Sequence, residues 1–412
     1  MLENVLWMLT LAVLAAYSSI YILKEQPKKV WFIVLAELAL VCRFILIYVL
    51  YANGTEASGT DGLIYHQVAK DVAQQLWSGT PLFKVEYQYT WYTALVGVQY
   101  ALFGVNRYVA SFINAYMAIQ SGILLTGIAL NLGYTYKKSS FIGLVYLFIP
   151  SMMVWTTDTR KESMTFLLAI LIWYLALRVL KEREWSIKRQ ILYILAICLL
   201  LWVSTLLRIY MLFAIGGGLL VGLFFHYLKT KRRVILMFGT IIFVCCIIVT
   251  FTTVFTNMEG YHALPLDRSE GGDEDIDDEL GSILKIIKEK NIPGAINGFL
   301  TKPHLENVDN ITDISGNYFA VTMVRLEMVF WYLCMVIALF GVLDAMLKWD
   351  PYLLGIVAFI IFYSLINALI SENVADTYFR YRAAIIAPVL LFADYRPFLN
   401  NLKTLIIGKT ID

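Results

Sequence analysis

Residues 91–104 read Trp91-Tyr-Thr-Ala-Leu-Val-Gly-Val-Gln-Tyr-Ala-Leu-Phe-Gly104, an apolar run with Gln99 inside it and a glycine at its end. A helix rises about 1.5 Å per residue, so this run covers roughly 20 Å of a bilayer core about 30 Å thick. It is expected to be a re-entrant or interfacial piece. Whether it crosses sets the side of everything that follows. If it does not cross, Lys24/Lys28/Lys29, Lys137/Lys138, Lys181/Arg183/Lys188/Arg189, Lys229/Lys231/Arg232/Arg233, Lys348 and Lys403/Lys409 share one face. The bias of Lys and Arg toward cytoplasmic loops makes that face the cytoplasm. If it does cross, the basic loops before and after it fall on opposite sides. The first arrangement predicts eleven spans, with the N-terminus outside and the C-terminus inside.

The other apolar segments lie near 4–23, 30–52, 108–131, 139–157, 163–180, 190–207, 209–228, 234–256, 324–347, 352–371 and 383–398. Each is long enough to cross. The composition agrees: 59% of the 412 residues are hydrophobic and 16% charged, against roughly 25% charged in a soluble domain. The expected fold is an all-α polytopic bundle of eleven to twelve spans. It forms a single integral membrane domain over 1–412, with two large outer loops at 53–90 and 257–322. The first segment runs into Lys24 rather than a small-residue cleavage site, so it reads as a retained span. A net charge of +2 makes no case for nucleic acid. All five cysteines lie in apolar segments without metal-ligand spacing, so a disulfide framework is not expected.

The first outer loop opens on Gly59-Thr-Asp61-Gly-Leu-Ile-Tyr65-His66. From Ile64 to Trp77 apolar residues recur about every four positions, which predicts a helix with one apolar stripe lying at the membrane surface. Ser78-Gly79-Thr80-Pro81 should end it. Tyr87-Gln-Tyr-Thr-Trp-Tyr92 is an aromatic cluster suited to headgroup depth. In the second outer loop, Asp273–Glu279 lacks the spacing of a calcium loop and reads as a solvated charge run. Leu280–Lys290 is compatible with a short helix. Asn53-Gly-Thr55 and Asn310-Ile-Thr312 match the glycosylation sequon, a weak signal.

Several groups could carry chemistry, and each has a plainer reading. Asp61 suits a helix N-cap. It also suits a general base, since a half-buried carboxylate can take a hydroxyl proton. Asp158-Thr-Arg160-Lys161-Glu162 reads as a solvated turn, or as a site. Arg160 and Lys161 on the outer face go against the charge bias, and binding a phosphate or pyrophosphate would explain them. Asp158 or Glu162 could hold a divalent cation, the one cofactor the pattern admits. Tyr378-Phe-Arg380-Tyr-Arg382 places two more arginines at the mouth of the last span, where interfacial snorkelling is the plainer account. Arg208 is a weaker member of the cationic set. Glu37 and Arg43, and Arg325 and Glu327, are charges inside or at the start of spans. Pairing with other helices is their plainer role, and function the other. His66 and Glu86 are further polar candidates.

Asp61 with Tyr65 and Ala69 after an outward span, Phe103-Gly104 with Asn106, and Pro150 before Arg160-Lys161-Glu162 together resemble the GT-C superfamily of membrane glycosyltransferases. The resemblance is to bacterial members similar to protein mannosyltransferases and the aminoarabinose transferase of lipid A. Glu327 with Trp331-Tyr332, and Arg380-Tyr-Arg382 with Pro388, are similar to later parts of such proteins. The resemblance implies a GT-C-like fold in the bacterial plasma membrane with an extracytoplasmic site. It implies inverting transfer of a sugar from a polyprenyl-phosphate-linked donor to a hydroxyl of a glycan or lipid acceptor, in cell-surface glycan or exopolysaccharide assembly. Asp61 would be the base, and Arg160, Lys161, Arg380 and Arg382 would hold the donor phosphate. Glu162 stands where relatives often have Asp, and the acidic residue follows the second span where the family places it after the first. A lipid-linked repeat-unit polymerase or ligase would look similar. A transporter or flippase of lipid-linked sugars should instead spread polar groups to the midplane and both faces.

Overall fold

The computed structural model describes residues 2–54, 61–87, 91–181, 187–231, 238–244, 248, 292–306, 308, 318–370, 375–394 and 399. The acidic run Asp273–Glu279, Leu280–Lys290 and Asn310 lie outside them, as do Thr55 and the side chains of Asp61 and Tyr378. The described chain is helical, with no strand among the described residues. The helices are α1 (Leu2–Ile22), α2 (Lys29–Ala52), α3 (Asp61–Trp77), α4 (Trp91–Phe103), α5 (Arg107–Asn131), α6 (Tyr136–Phe148), α7 (Pro150–Trp155), α8 (Glu162–Lys181), α9 (Ile187–Leu207) and α10 (Ile209–Thr230). After the large loop come α11 (Ile292–Thr301), α12 (Tyr318–Leu347), α13 (Pro351–Ile370) and α14 (Ala375–Phe392).

Eight of these, α1, α2, α5, α8, α9, α10, α12 and α13, are long and apolar enough to cross a bilayer. Their outward sides carry exposed Leu, Val, Ile, Phe and Trp, which water would penalise and lipid would not. The chain is an integral membrane protein. The remaining segments differ from plain spans for separate reasons. α4 has 13 residues, too few for the bilayer core. The 139–157 segment is broken in two, because Ile149 is extended (φ −59°, ψ 130°) and Pro150 starts α7. A proline has no N–H to continue the preceding helix and suits the first turn of the next. α14 contains Pro388 and carries Asp376, Arg380 and Arg382 in its first half. Most of 234–256 lies outside the described residues.

The described residues sort into two compact units: those within 1–178 and 202–209, and those within 179–201, 210–250 and 292–412. In the first, α5 packs on α1, α2 and α6. Hydrophobic burial does not drive helices together in lipid, so close backbone approach and hydrogen bonds must do more. Gly143 of α6 sits on α5, where an added Cβ would meet the Gly122 carbonyl and Thr126 Oγ1. Polar pairs tie α1 to α5: Asn106 Nδ2 donates to Asn4 Oδ1 (2.8 Å), and Gln120 Nε2 to Ser18 Oγ (2.8 Å). In the second unit, Gly218 and Gly222 of α10 lie directly against Gly355 of α13. α11 packs on α13 and α14.

The amphipathic helix forms as its periodicity predicts, and ends at Trp77 before Gly79 (φ +91°). Its apolar stripe has a different destination. Tyr65, Val68, Ala69, Val72 and Ala73 are buried, and α3 packs closely on α4. Gly97 allows the approach, since a Cβ there would overlap Val72 and crowd the Ala69 carbonyl. Contacts run along both helices, Tyr65 with Tyr92, His66 with Tyr100, Val72 with Gly97 and Trp77 with Ala101. The 78–90 connection is held at Glu86, whose backbone N–H and carbonyl pair with the Gln75 amide (2.9 and 2.8 Å).

Candidate functional site

The turn at 156–161 joins α7 to α8, and it is not a solvated turn. Asp158 is 0% exposed, Arg160 2% and Glu162 1%. Burying such charges is costly unless each is met, and the first unit meets them from several helices. Asp158 Oδ1 accepts from the Thr159 amide (2.7 Å), from Tyr51 Oη at the end of α2 (3.1 Å), and from Arg107 Nη2 at the start of α5 (3.3 Å). The Arg107 guanidinium lies over the Tyr51 ring, 4.1 Å from its centroid. Tyr51 Oη and Ser111 Oγ share a hydrogen bond of 2.6 Å, and Ser111 and Thr159 hydroxyls lie 3.2 Å apart.

The turn's backbone is held just as closely. Asn114 Nδ2 donates to the carbonyls of Asp158 and Arg160, the latter at 2.8 Å, while its Oδ1 accepts from Tyr92 Oη (2.9 Å). Tyr92 in turn stands beside Tyr65, with ring centroids 6.1 Å apart. Tyr65 is thus linked to the turn through α4 and α5. The Arg160 guanidinium stands 5.5 Å from the Trp155 ring. Glu162 opens α8, where a carboxylate suits the positive end of the helix dipole, and binds Arg208 Nη2 at 2.7 Å. Lys161 is half-buried beside them.

The break before the turn explains Arg43. With α6 ending at Phe148, the Leu147 carbonyl loses its helical donor. Irregular backbone at membrane depth is tolerated only where protein satisfies it. Arg43 Nη2 donates to that carbonyl (2.8 Å), its Nε to Thr156 Oγ1 (3.2 Å), and its Nη1 to Ala39 (3.2 Å). The charge inside α2 therefore pairs with other helices and fixes the approach to 158–162.

Asp61 is the first residue of α3. Its neighbour Gly62 lies flat against the site: a Cβ built there would overlap both oxygens of the Asp158 carboxylate. The backbone at the start of α3 is therefore beside Asp158. His66 and Glu86 are placed elsewhere on the α3–α4 pair. His66 Nδ1 meets Tyr100 Oη (2.8 Å), and burial, then Lys70, lower the imidazole pKa. Glu86 is exposed.

In the second unit, Arg382 is 1% exposed. It donates to the Lys302 carbonyl and to Met328 Sδ (2.8 Å), and stands 5.2 Å from the Trp331 ring and 5.5 Å from Phe379. Neighbouring residues complete a pattern. Trp331 Nε1 donates to the Leu300 carbonyl (2.8 Å), and Tyr332 Oη to that of Thr301 (2.7 Å). The last two carbonyls of α11, left without helical donors, are taken by side chains of α12, and that of the next residue, Lys302, by Arg382 of α14. Glu327 is buried and acts electrostatically on Arg382. Arg380 is half-buried on α14.

Among the described residues, no group of three or more His, Cys, Asp or Glu side chains is placed to hold a metal ion. Asp158 and Glu162, the metal candidates, each engage an arginine instead. Sequence reasoning missed Arg107, Tyr51 and Asn114. Arg107 could have been found by the argument applied to Arg160, since in the arrangement expected from the sequence it too is a cation at the outer end of a span.

No protein-family model matches the chain, and no curated protein matches it. Among solved structures it is similar to ArnT from Cupriavidus metallidurans bound to undecaprenyl phosphate, with TM-score 0.44 and 13% identity over 93% of this chain and 80% of that one. At that score and identity, no residue role passes from that protein to this chain.

Proposed function

We propose that the chain is a membrane glycosyltransferase that moves a sugar from a polyprenyl-phosphate-linked donor to an acceptor hydroxyl on the extracytoplasmic face. The observation that carries the proposal is the sealed charge cluster at 158–162, with Arg107 and Arg208 beside it and the start of α3 against it. Buried ionisable groups in a membrane protein are functional candidates by default, and this set combines what glycosyl transfer needs. A carboxylate, Asp61, takes the proton of the acceptor hydroxyl. The hydroxyl oxygen then attacks the anomeric carbon from the face opposite the phosphate. The carbon–oxygen bond to the phosphate breaks, and the phosphate leaves with the electron pair. Arg160 and Lys161 meet that phosphate, with Arg208 set by Glu162 behind them. Fixed cations stabilise charge as it builds on the leaving group, so they favour the transition state over the ground state.

The test uses the full chain in proteoliposomes with a polyprenyl-phosphate-linked sugar and a labelled acceptor. Asp61→Asn should lower turnover by about 10²–10⁴-fold, the usual share of a positioned base, and leave donor binding largely intact. Unchanged transfer in that variant removes the base assignment. Passage of the intact lipid-linked sugar across the bilayer, with no transfer, would make the chain a transporter.

A further inference from the structure

Arg107 is held in a way that suits an exchange of partners. It is the first residue of α5, so its charge lies at the positive end of the helix dipole, which disfavours it. Its contact with Asp158 is 3.3 Å, longer than the 2.7–2.9 Å or so of a charge-assisted N–H···O bond. The oxygen it meets is crowded. Asp158 Oδ1 also accepts from the Thr159 amide at 2.7 Å and Tyr51 Oη at 3.1 Å, and a carboxylate oxygen has about two lone pairs to offer. Of these three contacts, that of Arg107 is the longest. Asp158 therefore keeps two donors if Arg107 leaves. Arg107 also keeps 16% of its side chain open while the Asp158 side chain has 0%, so it can be reached without unpacking the turn. Its guanidinium lies over the Tyr51 ring, a contact that stays as its partner changes.

We propose that Arg107 is a donor-phosphate ligand held on Asp158 until the phosphate arrives. The ligand chemistry is a phosphate monoester or diester, whose several oxygens can take both arms of the guanidinium fork. Asp158 is then a competitor for Arg107. The inference rests on the glycosyltransferase reading, since it assigns the anion of that same site.

The experiment measures binding of undecaprenyl phosphate to the full chain in nanodiscs of zwitterionic lipid, by titration with 31P NMR. Arg107→Met should weaken binding by about tenfold or more, with partial recovery in Arg107→Lys, and undecaprenol without phosphate should be indifferent to both. Asp158→Asn, which removes the competitor, should tighten binding several-fold, and a merely structural ion pair has no reason to do this. Unchanged affinity in Arg107→Met, or weaker binding in a folded Asp158→Asn, overturns the inference. Inorganic phosphate that binds through Arg107 as strongly as the lipid supports the anion site and assigns it to free phosphate. If Arg160→Met and Lys161→Met weaken binding while Arg107→Met does not, only this inference falls. If none of the three matters, the glycosyltransferase reading falls with it.

Discussion

Gly62 shows how little room the charge cluster leaves. It lies within α3 without a positive φ, so alanine there should by propensity stabilise the helix by about 1 kcal/mol. The Asp158 carboxylate occupies the place of the Cβ. Overpacking of this kind costs roughly 1–3 kcal/mol, and here it also displaces the acid that organises Tyr51, Arg107 and Thr159. Gly62→Ala should therefore lower the thermal midpoint in detergent and reduce transfer more than tenfold. A variant as stable and active as the parent would mean that α3 does not rest on Asp158. From the sequence, Asp61 stood out because it opens a helix after a span, and Arg160 because it breaks the charge bias. Nothing in the spelling of 59–66 announced that Gly62 marks the contact with residue 158. That requires two segments nearly a hundred positions apart to meet.

The helices make two further tests possible. His66 sits between α3 and α4 with its pKa lowered by burial and by Lys70. The folded protein thus takes this proton at lower pH than the unfolded chain, whose imidazole titrates near 6.5. This site costs no stability above that value, and stability falls as pH drops from about 6.5 through the lower folded pKa. His66→Gln should flatten that part of the acid slope in a series of melting measurements, and an unaltered slope would clear His66 of any role in it. The second test concerns α11. Trp331 and Tyr332 take its last two carbonyls and Arg382 that of the residue after it, and leaving a buried carbonyl unmet costs about 1–3 kcal/mol. Trp331→Phe and Arg382→Met should each speed amide hydrogen exchange across 292–302 several-fold and leave α5 and α8 unchanged. Exchange that does not respond would show that the packing of Phe299, which is fully buried, holds α11 without them. Tyr378-Phe-Arg380-Tyr-Arg382 looked like a pair of interfacial arginines. In the fold Arg382 turns inward to a backbone carbonyl, and Arg380 is the more exposed of the two.

Across the chain, the arrangement of sides expected from the sequence turns on α4. At 13 residues packed along α3, it fits the reading in which the basic loops share the cytoplasmic face. Single cysteines at Phe83, which is 84% exposed, and at Lys137 and Trp349, both exposed, should report this directly. A membrane-impermeant thiol reagent should label position 83 in intact cells, and positions 137 and 349 only after permeabilisation. Labelling of 137 from outside would invert the assignment and place the cluster on the cytoplasmic side. Composition and periodicity were enough for the membrane class, for most helix limits, for the α3 helix and its stop at Ser78-Gly79, and for the suspicion attached to 158–162. These properties are local: apolar length, a repeat near four residues, and a proline or glycine act over one or two turns. The tertiary structure alone decided that the turn is sealed rather than solvated, that Arg43 closes the break at Pro150, that Tyr51, Arg107 and Asn114 hold Asp158, and that the α3 stripe meets α4. A periodic pattern says which face of a helix must be covered, but the covering group is a distant residue, and a buried charge becomes tolerable only once that residue's donors arrive.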